Sequence, residues 1–167
     1  LASDKTKLSK RHGATSVEEF KQAGYLNTAM FNFLVLLGWA LDDKTEMFSI
    51  NELIKVFDIS KISKSPAIFN KEKLDWFNGR YILNLTHEDF GKEINNYFKQ
   101  FLNSNKYKAI KSYDINDISV MIKQRCKTLN DAIMLTEFLY QEPKFKSKSE
   151  IQIMCDTPEQ CQSILAS

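Results

Sequence analysis

Residues 61–83 read KISKSPAIFNKEKLDWFNGRYIL, and the reading of this stretch decides the fold. Pro66 fixes its own backbone and pushes Ser65 away from helical geometry. Ala67, Ile68 and Phe69 then offer an apolar triplet that should pin the segment to a core. Asn70 is a good helix cap, and KEKLDWFNGRYIL behind it is helix-forming with apolar residues at helical spacing. The stretch therefore predicts a structured connection with exposed lysines, feeding a helix. On that helix Lys73 and Arg80 are seven apart, two turns along one face, with Trp76 between them. Core packing is the expected role of Trp76.

Working outward, the same start signals recur. S-V-E-E (16–19) and S-I-N-E (49–52) are capping boxes, in which the serine accepts from an amide three residues on and the glutamate reaches back. The first opens a short helix stopped by Gly24. The second opens one with Leu53, Ile54, Val56 and Phe57 on its inner side. Asn27 is read as the cap of a helix over 28–37 closed by Gly38, apolar around most of its circumference and so buried. Thr86 with Asp89 opens a helix whose stripe is Phe90, Ile94, Tyr97, Phe98, Phe101 and Leu102. Asp114 precedes another with Ile115, Ile118 and Ile122 in line, and T-L-N-D (128–131) opens the next. Residues 144–149 read as a loop, and Thr157 with Pro158 starts a last helix. With 3 Pro and 5 Gly in 167 residues, turns are too few for an all-β chain. The fold class is mainly α.

Hydrophobic residues make up 43% of the chain, enough for a core, so disorder is excluded over most of its length. The net charge of +2 implies no partner by itself. Between Lys92 and Lys127, however, eight basic residues face three acidic ones. Such a run is read either as a solvated surface or as a side that faces a polyanion. Cys126, Cys155 and Cys161 form no even set and no C-x-x-C, and His12 and His87 lie far from them, so neither a disulfide framework nor a metal site is expected. No stretch has the length and apolarity of a membrane span. Both ends stop in mid-pattern and read as cuts through a longer protein, and composition shifts once inside, near 84–86.

KLSKR (7–11) and KISKS (61–65) both fit K-x-S-K-x, the signature loop of class I aminoacyl-tRNA synthetases. A loop that closes on a triphosphate needs mobility. KLSKRHG ends in glycine and is polar beyond Leu8, whereas KISKS runs into Pro66 and the apolar triplet, so the first is read as the signature. The words that follow it, SVEEF, GYL, NFLVLLGW, FSINELIKVFDI, SKSPAIFN and EKLDWFNGRYI, resemble bacterial-type glutamyl-tRNA synthetase in order and spacing. QRCKTLNDAIMLTEFLY (124–140) is similar to a helix pair in the anticodon-binding region of that family.

The resemblance implies three parts: residues 1–13 as the signature loop at the end of the catalytic domain, 14–85 as a helical stem-contact domain, and 86–167 as the first part of a helical anticodon-binding domain. It implies activation of L-glutamate with ATP and Mg2+, then transfer to tRNA(Glu), with tRNA(Gln) left open as a second substrate. Lys10 would be the principal contact to the ATP phosphates, with Lys7 assisting, Ser9 shaping the loop and Arg11 adding a donor; His12 is read as an exposed loop residue. Lys73, Arg80, Lys123, Arg125 and Lys127 are the candidates for tRNA backbone contacts. Leu83 stands where the family often has a basic residue. Neither histidine belongs to the H-I-G-H-like motif of class I enzymes, so the chain alone is expected to be inactive, with no bound metal. A cytoplasmic monomer without membrane contact is implied. Three rivals are weighed: a glutaminyl-tRNA synthetase, whose anticodon region is made of β-barrels; a short paralogue that modifies a tRNA base; and a stand-alone helical RNA-binding module without catalysis.

Overall fold

The computed structural model describes residues 1–2, 5–7, 9 and 16–141, and among these every regular element is helical. Eight α-helices run in order: α1 (Val17–Gln22), α2 (Asn27–Leu36), α3 (Ile50–Val56), α4 (Lys71–Asn84), α5 (His87–Phe101), α6 (Ser104–Ile110), α7 (Ile115–Ile122) and α8 (Leu129–Leu135). Short 3-10 turns occupy Ile59–Lys61, Lys123–Arg125 and Glu137–Leu139. The loop expected at 144–149 and the helix expected after Thr157 lie outside the described residues.

The starts follow from side-chain chemistry. Ser16 with Glu19, Ser49 with Glu52 and Thr128 with Asp131 form reciprocal capping boxes. Asn70, Thr86 and Asp114 each accept from an amide of the first turn. One start differs from expectation. Leu26, not Asn27, carries the extended backbone of the cap position, and it makes no side-chain cap. Its amide instead donates to Asn78 Oδ1 of α4 at 2.8 Å, so a buried tertiary contact does the work of a local one. Another helix was not anticipated. The cap of α6 is Asn103, which accepts from Lys106 N–H at 3.0 Å. With seven residues and one buried side chain, Ile110, α6 is too short and polar to show periodicity.

Two expectations about faces are corrected. On α2 only Ala29, Met30, Asn32 and Phe33 are buried, while Phe31 and Leu34 are nearly half exposed. They line an apolar groove of about 550 Å³ with Phe20 of α1 and Tyr97 and Phe101 of α5. On α3, Leu53 is buried and Val56 packs beside it, but Ile54 is 73% exposed. A two-turn helix resting on Trp39 and Phe48 presents only one narrow side to them.

The core forms three clusters. Trp39, Phe48 and Leu53 make the smallest. Phe20, Tyr25, Met30, Phe33, Leu74 and Phe77 pack between α1, α2 and α4. The largest joins Leu26, Ala29 and Ile82 to Phe90, Ile94, Tyr97, Phe98, Ile118, Ile122 and Leu129. Asn32 is the polar pin of the first half. Its amide donates to Glu46 O at 2.8 Å, its oxygen accepts Phe48 N–H at 2.7 Å, and the Tyr81 hydroxyl lies 2.7 Å from that oxygen. A buried amide so satisfied holds the 46–48 loop onto α2 and α4.

Candidate nucleic-acid interface and signature loop

The chain leading into KLSKR is anchored by the segment after KISKS. Leu1 N donates to Ala67 O and Phe69 N–H donates to Leu1 O, each at 2.7 Å, a two-bond pairing of the parallel type. Ala2, 2% exposed, is folded under a turn closed by Ala2 N–H to Thr6 O at 2.8 Å and Lys5 N–H to Ala2 O at 2.9 Å. Lys5 takes a left-handed φ of 63° there. Phe69 sits between Phe20 and Phe33, with ring centroids 5.5 and 5.2 Å away, so this anchor packs against the core. Beyond it Lys7 is exposed and Ser9 is partly buried. Lys10, Arg11 and His12 lie outside the described residues.

The second K-x-S-K-x stretch is tied along its length. Ser63 N–H donates to Gly38 O at 2.7 Å, Lys61 Nζ donates to Leu41 O at 3.1 Å, and Trp39 Nε1–H fixes Asp58 O at 3.0 Å just before it. It is a structured connection between α3 and α4, with Lys61 and Lys64 on the surface.

Of the residues expected to meet RNA, four are exposed on α4 or on the segment packed against it. Lys73 and Arg80 are exposed on α4, and the turn Lys123–Arg125 packs against that helix. The next segment packs against Gly79: a Cβ there would stand in ordinary contact, 3.7 Å from Lys127 Cα and 3.9 Å from Lys127 Cγ. Lys127 therefore lies against α4 at the residue before Arg80. Asn78, fully buried, holds this register, donating through Nδ2 to Lys127 O at 2.5 Å while accepting from Leu26. Arg80, Arg125 and Lys127 have no ion pair among the described residues, whereas Lys73 is paired with Glu46.

Lys123 is a correction. It is 7% exposed, and its ammonium donates to Leu85 O at the C-terminal end of α4. That contact satisfies a helix-end carbonyl and favours the negative pole of the helix, so the side chain is unavailable to phosphate. Trp76 is a second correction. It is 50% exposed, touching Phe77 edge-on at 5.2 Å, rather than packed in the core. The signal was present: its neighbours three before and four after it are Lys73 and Arg80, while the buried face runs through Leu74, Phe77, Asn78 and Ile82.

Other titratable groups are structural. Burial pushes the Cys126 thiol up to about 12, with the Asp131 charge adding to it, which removes it as a nucleophile. Burial likewise raises Tyr97 to about 12; its hydroxyl donates to Gln22 O at 2.6 Å. Among the described residues no three His, Cys, Asp or Glu side chains converge. None of the described helices is long and apolar enough to cross a membrane.

Comparison with known proteins places this geometry. The family model described as tRNA synthetases class I (E and Q), catalytic domain, matches residues 1–76. A glutamate–tRNA ligase from Dehalococcoides mccartyi is 47% identical over 146 residues, covering 85% of this chain and 29% of that protein. One from Borreliella afzelii is 39% identical over 166 residues, covering 99% of this chain and 34% of that protein. The crystal structure of a glutamate tRNA ligase from Elizabethkingia meningosepticum, in complex with its amino acid, superposes with a TM-score of 0.68 at 25% identity, over 96% of this chain and 34% of that one. The chain belongs to the glutamate–tRNA ligase family. It spans about a third of the length of the relatives it matches. For a glutamate–tRNA ligase sequence, the match over residues 1–76 takes in both K-x-S-K-x stretches and the N-terminal part of α4. The α-helical run through residues 86–141 is the feature that a β-barrel anticodon region would lack.

Proposed function

We propose that this chain is the part of a glutamate–tRNA ligase that carries the ATP-phosphate loop and the first tRNA-facing helices. The observation that carries the reading is the identity of 39–47% with glutamate–tRNA ligases over nearly the whole chain. In that reaction the glutamate carboxylate attacks the α-phosphorus of ATP, the bond to the bridging oxygen breaks, and pyrophosphate leaves with added negative charge. A hydroxyl of the terminal ribose of tRNA then attacks the carbonyl carbon of glutamyl-adenylate, the ester forms and AMP leaves. Lys10 and Lys7 would place ammonium groups against the departing phosphates, Arg11 would add a guanidinium, and Ser9 would hold the loop's shape. Preorganised cations at a developing charge are a main source of rate. The exposed ammonium of Lys7, at the end of an anchored turn, has the chemistry that ATP phosphates require. The described carboxylates do not converge to hold Mg2+, and no ligand to that ion is assigned to this chain.

Arg80, Arg125 and Lys127, with Lys73 beside them, would contact the tRNA backbone. Phosphate contacts position an RNA without reading its sequence. The ligase would act as a cytoplasmic monomer on tRNA(Glu).

The test uses the full-length ligase with Lys10→Ala. ATP–pyrophosphate exchange should fall by about 100-fold or more, with tRNA affinity within about twofold of the parent. Exchange near the parent rate would sink the assignment of the loop. Charging assays with tRNA(Glu) and tRNA(Gln) on the same enzyme set the breadth of its substrate range.

A further inference from the structure

We propose that Trp76 is a base-stacking residue: an unpaired nucleobase of the bound RNA lies on its exposed indole face, between phosphates held by Arg80 and Lys127. The inference rests on the RNA-facing reading of α4 and extends it from backbone contact to base contact.

Four observations carry it. Trp76 is half exposed, and its indole N–H has no partner among the described residues. The chain's other tryptophan, Trp39, is 3% exposed with its N–H bonded to Asp58 O. Of the two tryptophans, only Trp76 is exposed. Arg80 lies four residues on, one helical turn along the same face. Gly79, three residues on, has the Lys127 backbone and the start of its side chain packed against it. The face is thus an aromatic plane with free cations from two separate elements along its edge. Acidic groups oppose it only weakly: Glu46 is paired with Lys73, and Asp75, one turn before Gly79, is held by Lys71 and Tyr25, leaving Glu72 one turn before Trp76.

Cations that track a backbone beside an aromatic face are the arrangement by which proteins hold single-stranded RNA. A duplex hides its base faces and would meet only the cations. An unpaired base therefore fits both features, and a duplex fits one.

The experiment titrates the 167-residue chain at low salt with two dye-labelled RNAs: a single-stranded decamer and a hairpin of equal phosphate count. Anisotropy of the dye reports binding, and tryptophan emission is read in the same cuvette. Stacking predicts that the decamer quenches emission with the same midpoint as binding. The quench should vanish in Trp76→Leu, with affinity for the decamer falling about 5- to 100-fold, while Trp76→Phe retains most of the affinity. Helical ellipticity of each variant checks that it is folded. Binding without quenching, or equal decamer affinity in Trp76→Leu, overturns the stacking role and leaves the backbone-contact reading standing. Absence of binding by either RNA at low salt overturns both.

Discussion

At the scale of single residues, lysines of similar sequence context have opposite fates. Lys123, Arg125 and Lys127 alternate along one short segment and looked equivalent as phosphate contacts. The 3-10 turn Lys123–Arg125 directs the first inward, to the carbonyl of Leu85, and leaves the other two outside. Sequence spacing could not separate them, because the separation depends on where the end of α4 lies in space. The two classes predict different phenotypes. Lys123→Met removes a charge-assisted bond and strands a helix-end carbonyl, so urea unfolding should show a loss of about 1.5–3 kcal/mol, while the salt dependence of RNA binding stays as it was. Arg125→Ala should leave stability within about 0.5 kcal/mol and lower the slope of log affinity against log salt by about 1. A changed salt slope in Lys123→Met with unchanged stability would reverse both assignments.

At the scale of elements, the caps made the fold legible. Ser16, Ser49, Asn70, Thr86, Asp114 and Thr128 each bond where the sequence placed them, because a cap is a contact over two or three residues and needs no tertiary information. Asn27 and Trp76 were misread for the converse reason. The start of α2 is set by Asn78, fifty-two residues from Leu26, and the exposure of Trp76 is set by which face of α4 meets α2. The signature loop was legible as a motif, yet Lys10 and Arg11 lie outside the described residues, so its chemistry rests on family likeness.

The caps also make a pH prediction. The Ser49 backbone N–H first, then the Ser49 hydroxyl, holds the exposed Glu52 carboxyl below its ordinary value. A depressed carboxyl contributes stability above its unfolded pKa, near about 4.3, and loses it as pH falls through the lower folded value. Glu52→Gln keeps a neutral cap at every pH. The difference in Tm between parent and variant should favour the parent above about pH 5 and shrink towards zero near about pH 3. A difference that is constant over that range would show that the charge at Glu52 does not contribute.

At the scale of the whole molecule, the main question is whether residue 85 divides it. Composition shifts there, and Leu85 has the extended backbone that breaks α4 from α5. The interior does not follow that line. Leu26, Ala29 and Ile82 from one side share a cluster with Phe90, Ile94, Ile118 and Leu129 from the other. The seam is closely fitted: a Cβ on Gly24, whose φ is 85°, would meet Asn130 N at 2.5 Å, and Gly24 O accepts Leu129 N–H at 2.8 Å. Asn78 bonds both sides at once. Apolar area shared across a junction couples the unfolding of its two sides, because either half left alone exposes it. Residues 16–141 should therefore unfold in one transition. Both tryptophans lie before residue 85, whereas ellipticity reports helices on both sides. Urea midpoints from emission and from ellipticity should coincide. Asn78→Ala, which leaves the Leu26 amide and the Lys127 carbonyl without their partner, should lower the two midpoints together. Separate midpoints in the parent protein would mean that the halves fold independently, and the seam would then be a docking contact between two domains.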